Sequence, residues 1–135
     1  MNINRIEGIG PVIANKLGEQ GITTTQGLLE AAANRQARRQ LAAQTGLSEE
    51  LLLGWVNRAD LMRVRGVGEE YSDLLEAAGV DTVKELGRRR PDNLHGKIVE
   101  VNAEKRLVRR APSVTEVGRW VADAKMLPAV VTYSN

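Results

Sequence analysis

The 135-residue chain contains no cysteine, no phenylalanine and a single histidine, His95. Without cysteine there are no disulfides and no thiolate ligands, and one imidazole is too few for a histidine-based zinc site. Carboxylates are plentiful, but a spacing such as that of Glu69 and Asp73 fits a helix face as readily as a general acid–base pair. We therefore expect no metal, no cofactor, no catalytic residue and no enzyme activity.

Long apolar segments are also missing from the chain. No run of about 18 apolar residues, the length that spans a membrane, occurs. The N-terminal sequence MNINRIEGIG lacks the basic segment followed by an apolar one that marks a secretory signal. We expect a cytoplasmic protein with no membrane contact, and 42% apolar residues are enough to fold it.

Charge is present in both signs but is divided unevenly along the chain. Residues 84–110 hold nine Lys/Arg against four Asp/Glu, whereas residues 69–85 hold six acids and one lysine. Such basic groups fit either a surface that neutralises phosphates or solvated helix faces with ion pairs. The three groups are Arg35, Arg38 and Arg39; Arg88, Arg89 and Arg90; and Lys105, Arg106, Arg109 and Arg110.

Two stretches of the chain resemble each other. A shift of 58 positions aligns residues 6–28 with 64–86, and a shift of 65 aligns Ser48 and Trp55 with Ser113 and Trp120, so the second copy carries seven additional residues. A shared pattern of glycines and aliphatic residues predicts a shared backbone shape. We divide the chain into a first repeat (1–63), a second repeat (64–127) and an extended tail (128–135). The identical pairs at the shift of 58 are Gly8/Gly66, Gly10/Gly68, Leu17/Leu75, Gly21/Gly79, Thr24/Thr82 and Leu28/Leu86.

Capping residues and glycines predict where helices begin and end. Ser113 and Thr82 each precede a glutamate by three positions, which is capping-box spacing, and Gly21, Gly46 and Gly79 are placed to end helices. The β-branched stretch GKIVEVNAEKRLVRR is open to a hairpin around Asn102, but its aliphatic residues fall on one helical face. We predict helices at 11–20, 24–33, 35–45, 48–62, 69–78, 82–88, 93–109 and 113–126.

The segments IEGIGP and VRGVGE, each followed by a helix and a closing Gly-Ile or Gly-Val, resemble the helix-hairpin-helix motif. That resemblance implies a turn whose glycine N–H groups can bind a nucleic-acid phosphate without reading bases. It also implies an all-α fold of two pseudo-symmetric four-helix, helix-hairpin-helix-like (SAM-like) repeats sharing a compact core. The first hairpin has no helix before it, so we expect the Trp120 helix to lie beside residues 6–20, in a monomer or in a domain-swapped dimer.

Longer segments resemble one family in particular. The stretches GEEYSDLLEAAGVDTVKEL, DNLHGKIVEVN and GRWVADAKMLPAVVTY look like a bacterial family known as domain of unknown function 4332. The resemblance covers nearly the whole chain. It implies a tandem helix-hairpin-helix-like fold and leaves the activity open.

The two glycine turns differ in the charge that follows them. Gly10 is followed by Pro11 and Val12 and, one helical turn after Val12, by Lys16, whereas Gly68 is followed by Glu69 and Glu70. Acids stabilise a helix N-terminus but repel an approaching phosphate. We therefore interpret the second turn as structural, and leave structural and phosphate-binding roles open for Gly8-Ile9-Gly10.

Function is expected to be binding rather than catalysis. The leading hypothesis is a module that contacts nucleic-acid backbone, DNA or RNA, without sequence specificity. The alternative is a protein-interaction or scaffold module in which both hairpins are purely structural. The candidate nucleic-acid-binding residues are Gly8, Ile9, Gly10, Lys16, Arg35, Arg38, Arg39, Arg88, Arg89, Arg90, Lys105, Arg106, Arg109 and Arg110.

Overall fold

A computed structural model describes residues 1–133, and Ser134 and Asn135 of the predicted tail lie outside the described residues. Within 1–133 the chain forms eight α-helices and no strand, with one isolated antiparallel bridge between Asn2 and Thr24. The all-α prediction is confirmed. A 3-10 helix, Ile3–Arg5, precedes α1 (Pro11–Gly18), α2 (Thr25–Ala31), α3 (Arg35–Thr45), α4 (Glu49–Leu61), α5 (Glu69–Ala77), α6 (Val83–Gly87), α7 (Pro91–Lys105) and α8 (Val114–Met126).

Side-chain caps set the starts of several helices. The Thr24 hydroxyl accepts a hydrogen bond from the Gly27 N–H at 2.9 Å, and Thr82 accepts one from the Glu85 N–H. Ser113 forms the complete predicted capping box with Glu116. Each cap satisfies a donor that the helix itself cannot, which contributes about 1 kcal/mol.

Glycines in the left-handed region follow the ends of three other helices, α1, α3 and α5. Gly21, Gly46 and Gly79 have φ values of +79°, +75° and +92°. Glycine enters this region without the clash that a Cβ causes, so the chain can leave the helix there and turn. The predicted helix ends at these three positions are confirmed.

Helix α7 resolves the segment whose sequence was ambiguous. It is helical, so the hairpin around Asn102 is wrong, and Leu94, Ile98 and Val101 are buried on one face as predicted. The helix ends at Lys105, four residues earlier than expected. The cause is the next residue, Arg106, which has φ +51° and donates its N–H to the Asn102 carbonyl at 2.8 Å.

The described chain divides into two compact units. Unit 1 comprises Met1–Asp60 together with the residues from Val130 onward, and unit 2 comprises Leu61–Ala129. In unit 1 the 3-10 helix packs on α1 and α2, and α2 packs on α3. The Thr132 N–H donates to the Ala33 carbonyl at 2.8 Å, which connects the segment after Val130 to the residues between α2 and α3.

Unit 2 is organised around α8, which packs on α6 and α7, while α5 packs on α7. Within unit 2, Trp120 is buried in the core, with its ring centroid 5.1 Å from that of Tyr71. The expected place of the Trp120 helix beside residues 6–20 joins the two units and stays a prediction. The other large core side chains of unit 2 are Leu61, Leu74, Leu75, Leu86, Leu94 and Ile98.

The glycine turns of the two units have equivalent patterns of backbone hydrogen bonds. Each turn has one bond across the tight turn, one that opens the following helix, and one that closes the helix against the next aliphatic residue. In unit 1 these are Ile9 N–H to Ile6 O (3.1 Å), Ala14 N–H to Gly10 O (2.9 Å) and Ile22 N–H to Leu17 O (3.0 Å). In unit 2 they are Val67 N–H to Val64 O (3.0 Å), Ser72 N–H to Gly68 O (2.9 Å) and Val80 N–H to Leu75 O (2.9 Å).

Candidate nucleic-acid interface

The two glycines of the first turn differ in what the structure requires of them. Gly8 has φ +93°, and a Cβ on it would lie 3.1 Å from Nε1 of Trp55, so both the turn and the indole require glycine. Gly10 has extended backbone and open space where a Cβ would be, so nothing inside the protein requires its glycine. Ile9 between them is buried. Gly8 and Gly10 are both exposed, so the backbone of this turn is accessible at either glycine.

The N-terminus of helix α1 places a favourable dipole at this turn for an anion, but no charged side chain close to it. Gly10 is its N-cap, Pro11 occupies its first turn, and that turn holds no acid. Lys16 lies in the last turn of α1, about 9 Å along the helix axis from Gly10 at 1.5 Å per residue. Lys16 therefore contributes a general attraction rather than a contact within the turn.

The second glycine turn repeats the geometry with the opposite charge. Gly66 has φ +90°, and a Cβ there would lie 3.2 Å from Nε1 of Trp120. The N–H of Arg65 donates to Asp123 at 3.3 Å. Helix α5, which follows, opens with Glu69 and Glu70. These acids stabilise the helix and oppose a phosphate at this turn.

The arginines of α3 fall into two classes. Arg35 and Arg39 are exposed, with Nε of Arg39 3.7 Å from a carboxylate oxygen of Glu49. Arg38 is only 3% exposed, and its guanidinium donates to the carbonyls of Ala32 (3.1 Å), Ala33 (2.9 Å) and Thr132 (2.6 Å). Burial lowers the pKa of Arg38. Arg38 was grouped with the surface cations, and the structure instead gives it the role of fastening the C-terminal segment.

The three consecutive arginines between α6 and α7 differ in the same way. Arg88 and Arg90 are exposed, and Arg90 lies 3.7 Å from Asp92. Arg89 is half-buried and donates to Glu85 and to the Gly79 carbonyl, both at 3.0 Å. Arg89 therefore ties α6 to the preceding turn, and two of the three remain as surface cations.

The third basic group lies at the end of α7 and in the segment that follows, Arg106–Pro112, which we name the basic loop. Lys105, Arg106 and Arg109 are exposed, and in the described part of the chain none of them takes part in an ion pair. Arg110 differs, since it makes a two-bond contact with Glu116 at 2.8 and 3.2 Å. The hydrogen bond from Arg110 lowers the pKa of Glu116 to about 2.

Several side chains fix the basic loop in place. The Asn102 amide bonds both backbone groups of Val108, at 3.0 and 3.1 Å. Nε2 of His95 lies 3.0 Å from the Pro112 carbonyl, and the Tyr71 hydroxyl donates to the Arg110 carbonyl at 3.2 Å. Because α5, α7 and α8 all hold it, the loop presents its cations from a defined backbone.

Other ligand chemistries find less support in the described residues. Trp55 and Trp120 are each 3% exposed, so their rings are not available to stack on bases. Among residues 1–133 no group of three metal-ligating side chains comes together. None of the helices described here has the length and apolar character needed to cross a membrane.

Comparison with known proteins identifies the family. The model of the family described as Domain of unknown function (DUF4332) matches residues 7–127. The chain belongs to the DUF4332 family. No curated protein and no solved structure matches it. The range matched by the DUF4332 model includes both glycine turns and the basic loop.

Some functional detail was not predicted from the sequence. Arg38 lies on the same face of α3 as the buried Leu41, three positions on, and this spacing is a signal that would have placed it in the interior. The bonds of Asn102 to Val108 and of Tyr71 to Arg110 join positions that no short motif links. They emerge only when the helices are packed.

Proposed function

We propose that the chain is a non-catalytic module that contacts nucleic-acid backbone without sequence specificity. It is built, in this proposal, from two pseudo-symmetric helix-hairpin-helix-like (SAM-like) repeats. The matching hydrogen bonds of the two glycine turns support the repeat, as does the matching approach of Trp55 to Gly8 and of Trp120 to Gly66. The DNA-binding and cytoplasmic assignments made from the sequence belong to the same proposal.

One observation carries the proposal: Lys105, Arg106 and Arg109 are exposed on a fixed backbone and outside ion pairs in the described structure. Cations that are not neutralised by the protein are free to replace the counterions of a phosphate chain, and that exchange supplies most of the affinity of non-specific binding. The exposed Arg35, Arg88 and Arg90 add to the positive field.

The contact is with the backbone rather than with the bases. The aromatic rings that stack on bases in single-strand binders have to be exposed, and both tryptophans are buried. Tyr71 is held between Trp120 and Arg110. Backbone contacts position a protein on nucleic acid without reading sequence, so affinity should not depend on base composition.

Fluorescence anisotropy with labelled 20-base-pair duplexes of unrelated sequence tests this proposal. We expect binding at low salt, nearly equal affinity for all sequences, and a linear fall of log affinity with log salt concentration. A single strand of the same length serves as the comparison. Absence of binding to every oligonucleotide at low salt would overturn the proposal, and so would a preference of tenfold or more for one sequence.

A second candidate, a protein-interaction module, is favoured by a different surface of unit 2. A groove of about 690 Å³ beside the second glycine turn contains Trp120, Met126 and Arg65 in its lining. Met126 is 84% exposed, which is unusual for a large apolar side chain. If oligonucleotides do not bind, Met126→Lys should abolish capture of a protein partner, whereas Lys125→Ala on the same helix should leave it intact.

A further inference from the structure

The basic loop is the part of unit 2 that has no counterpart of similar length in unit 1. In unit 1, α3 ends at Thr45, and only Gly46 and Leu47 separate it from the capping Ser48. In unit 2, α7 ends at Lys105, and seven residues, 106–112, separate it from the capping Ser113. Three of the seven are arginines. The longer connection in unit 2 therefore adds positive charge at a place where unit 1 needs only two residues to join the corresponding helices.

Arg106 occupies a backbone position that favours glycine. Gly46 takes the left-handed conformation after α3 with φ +75° and ψ +6°, and Arg106 takes it after α7 with φ +51° and ψ +47°. Arg106 is the one residue other than glycine with positive φ in the described chain. A strained side chain persists only where the surroundings hold it, and such positions cluster at binding sites.

The strained residue borders a groove. A cavity of about 510 Å³ lies between the start of α5 and the basic loop, and its lining includes Arg106, Arg109 and Glu70. Asn102 also borders it, but both polar ends of that amide are already bonded to Val108. The polar side chains left to meet a ligand are therefore two guanidinium groups and one carboxylate.

We infer that this groove is a phosphate site in which Arg106 and Arg109 hold one phosphate group. Guanidinium groups bind phosphate oxygens with paired N–H donors, and two of them on a fixed loop approach one anion without ordering a flexible segment. The site deepens the proposed function and rests on it, because it names where that function's backbone phosphate is held. A free polyphosphate offers the same chemistry, and the experiment separates the two sources.

Glu70 gives the site a measurable signature. Its carboxylate borders the same groove and repels any phosphate that enters, so it weakens binding rather than supporting it. Removing this charge should therefore strengthen phosphate binding. A role of the groove in holding a cation or an amine predicts the reverse, since Glu70 would then be the main attractive group.

The test compares full-length variants by duplex anisotropy and by titration of ¹⁵N-labelled protein with inorganic pyrophosphate. Arg106→Gly removes the guanidinium and relieves the strained backbone, so the melting temperature should hold or rise while duplex affinity falls at least fivefold. Arg106→Lys keeps the charge and should lose less. Glu70→Gln should raise affinity two- to fivefold, whereas Glu19→Gln, the same charge change on unit 1, should not.

The outcomes separate the site from the proposed function. Pyrophosphate should shift the amide signals of residues 102–109, and Arg109→Ala should abolish these shifts. Duplex binding that is unchanged in Arg106→Gly and Arg109→Ala would refute the site while leaving the function standing. If no oligonucleotide binds but pyrophosphate shifts these amides, the site stands for free polyphosphate and the proposed function fails. No response to either ligand overturns both.

Discussion

Replacing Gly66 by alanine should destabilise the protein far more than replacing Gly68, although the two lie two residues apart. At Gly66 an alanine would be forced to φ +90°, a region that costs an L residue about 1–2 kcal/mol. Its Cβ would also lie 3.2 Å from Nε1 of the buried Trp120, and overpacking of this kind costs about 1–3 kcal/mol. We therefore expect a total loss of about 2–5 kcal/mol.

Gly68 is the matched control. Its φ of −108° and ψ of −154° are open to any residue, and no atom lies within 4 Å of the place a Cβ would take. Alanine is a poorer N-cap than glycine by roughly 0.5–1 kcal/mol, but it also lowers the conformational entropy of the unfolded chain, which stabilises the fold by about 0.4–1 kcal/mol. These effects offset each other, so Gly68→Ala should change stability by less than about 0.5 kcal/mol.

Thermal and urea unfolding followed by circular dichroism measure the difference. A loss of about 3 kcal/mol lowers the melting temperature of a protein of this size by roughly 10 °C. The pair Gly8→Ala and Gly10→Ala in unit 1 should repeat the contrast, because Trp55 approaches Gly8 as Trp120 approaches Gly66. Equal melting temperatures for Gly66→Ala and Gly68→Ala would refute the account of the turn.

Three further predictions concern the contacts that hold the helices. Arg38→Ala should lower the free energy of unfolding by about 3 kcal/mol, because it leaves three carbonyls without their charged donor. The loss should be smaller in a chain truncated after Ala129, which already lacks Thr132. Equal losses in the two chains, measured by urea unfolding, would contradict the contact. Hydrogen bonding from Arg110 depresses the pKa of Glu116 to about 2, so its stabilisation is present above pH 4.5 and is lost as pH falls toward 2. Glu116→Gln should therefore lose less stability than the wild type over that pH range, and parallel curves would count against the interaction. Asn102→Ala should increase amide exchange of Val108 and weaken duplex binding, whereas unchanged exchange would show that the loop has other supports.

Much of the fold follows from local signals in the sequence. Ser113 and Thr82 cap helices, and Gly21, Gly46 and Gly79 end them, because each acts on backbone groups only a few residues away. Helix starts and ends can therefore be predicted at these positions without knowledge of the tertiary structure. The bounds of α3 were predicted to the residue for the same reason.

The candidate site was less predictable, because contacts between separate parts of the fold decide which of its cations are available to a ligand. Arg38, Arg89 and Arg110 look like surface cations in sequence, but each is bonded to a protein group: Arg38 to carbonyls in the interior, Arg89 to the Gly79 carbonyl and Arg110 to the Glu116 carboxylate. Helix α7 was predicted to run to residue 109, since Val108 falls on its apolar face. Val108 is indeed buried, but from the loop, after Arg106 turns the chain in a conformation that helical periodicity cannot reveal.

The salt dependence of duplex binding tests the central proposal most directly. Each phosphate neutralised adds about 0.9 to the slope of log affinity against log salt concentration. Arg106 and Arg109 hold one phosphate and Lys105 neutralises at most one more, so replacing all three by alanine should reduce the slope by up to about 1.8. The control replaces the exposed Lys84, Lys97 and Lys125 of unit 2 and changes the net charge equally. We expect a shallower slope for the first variant and a nearly unchanged slope for the second. Equal slopes for the two variants would contradict the proposal.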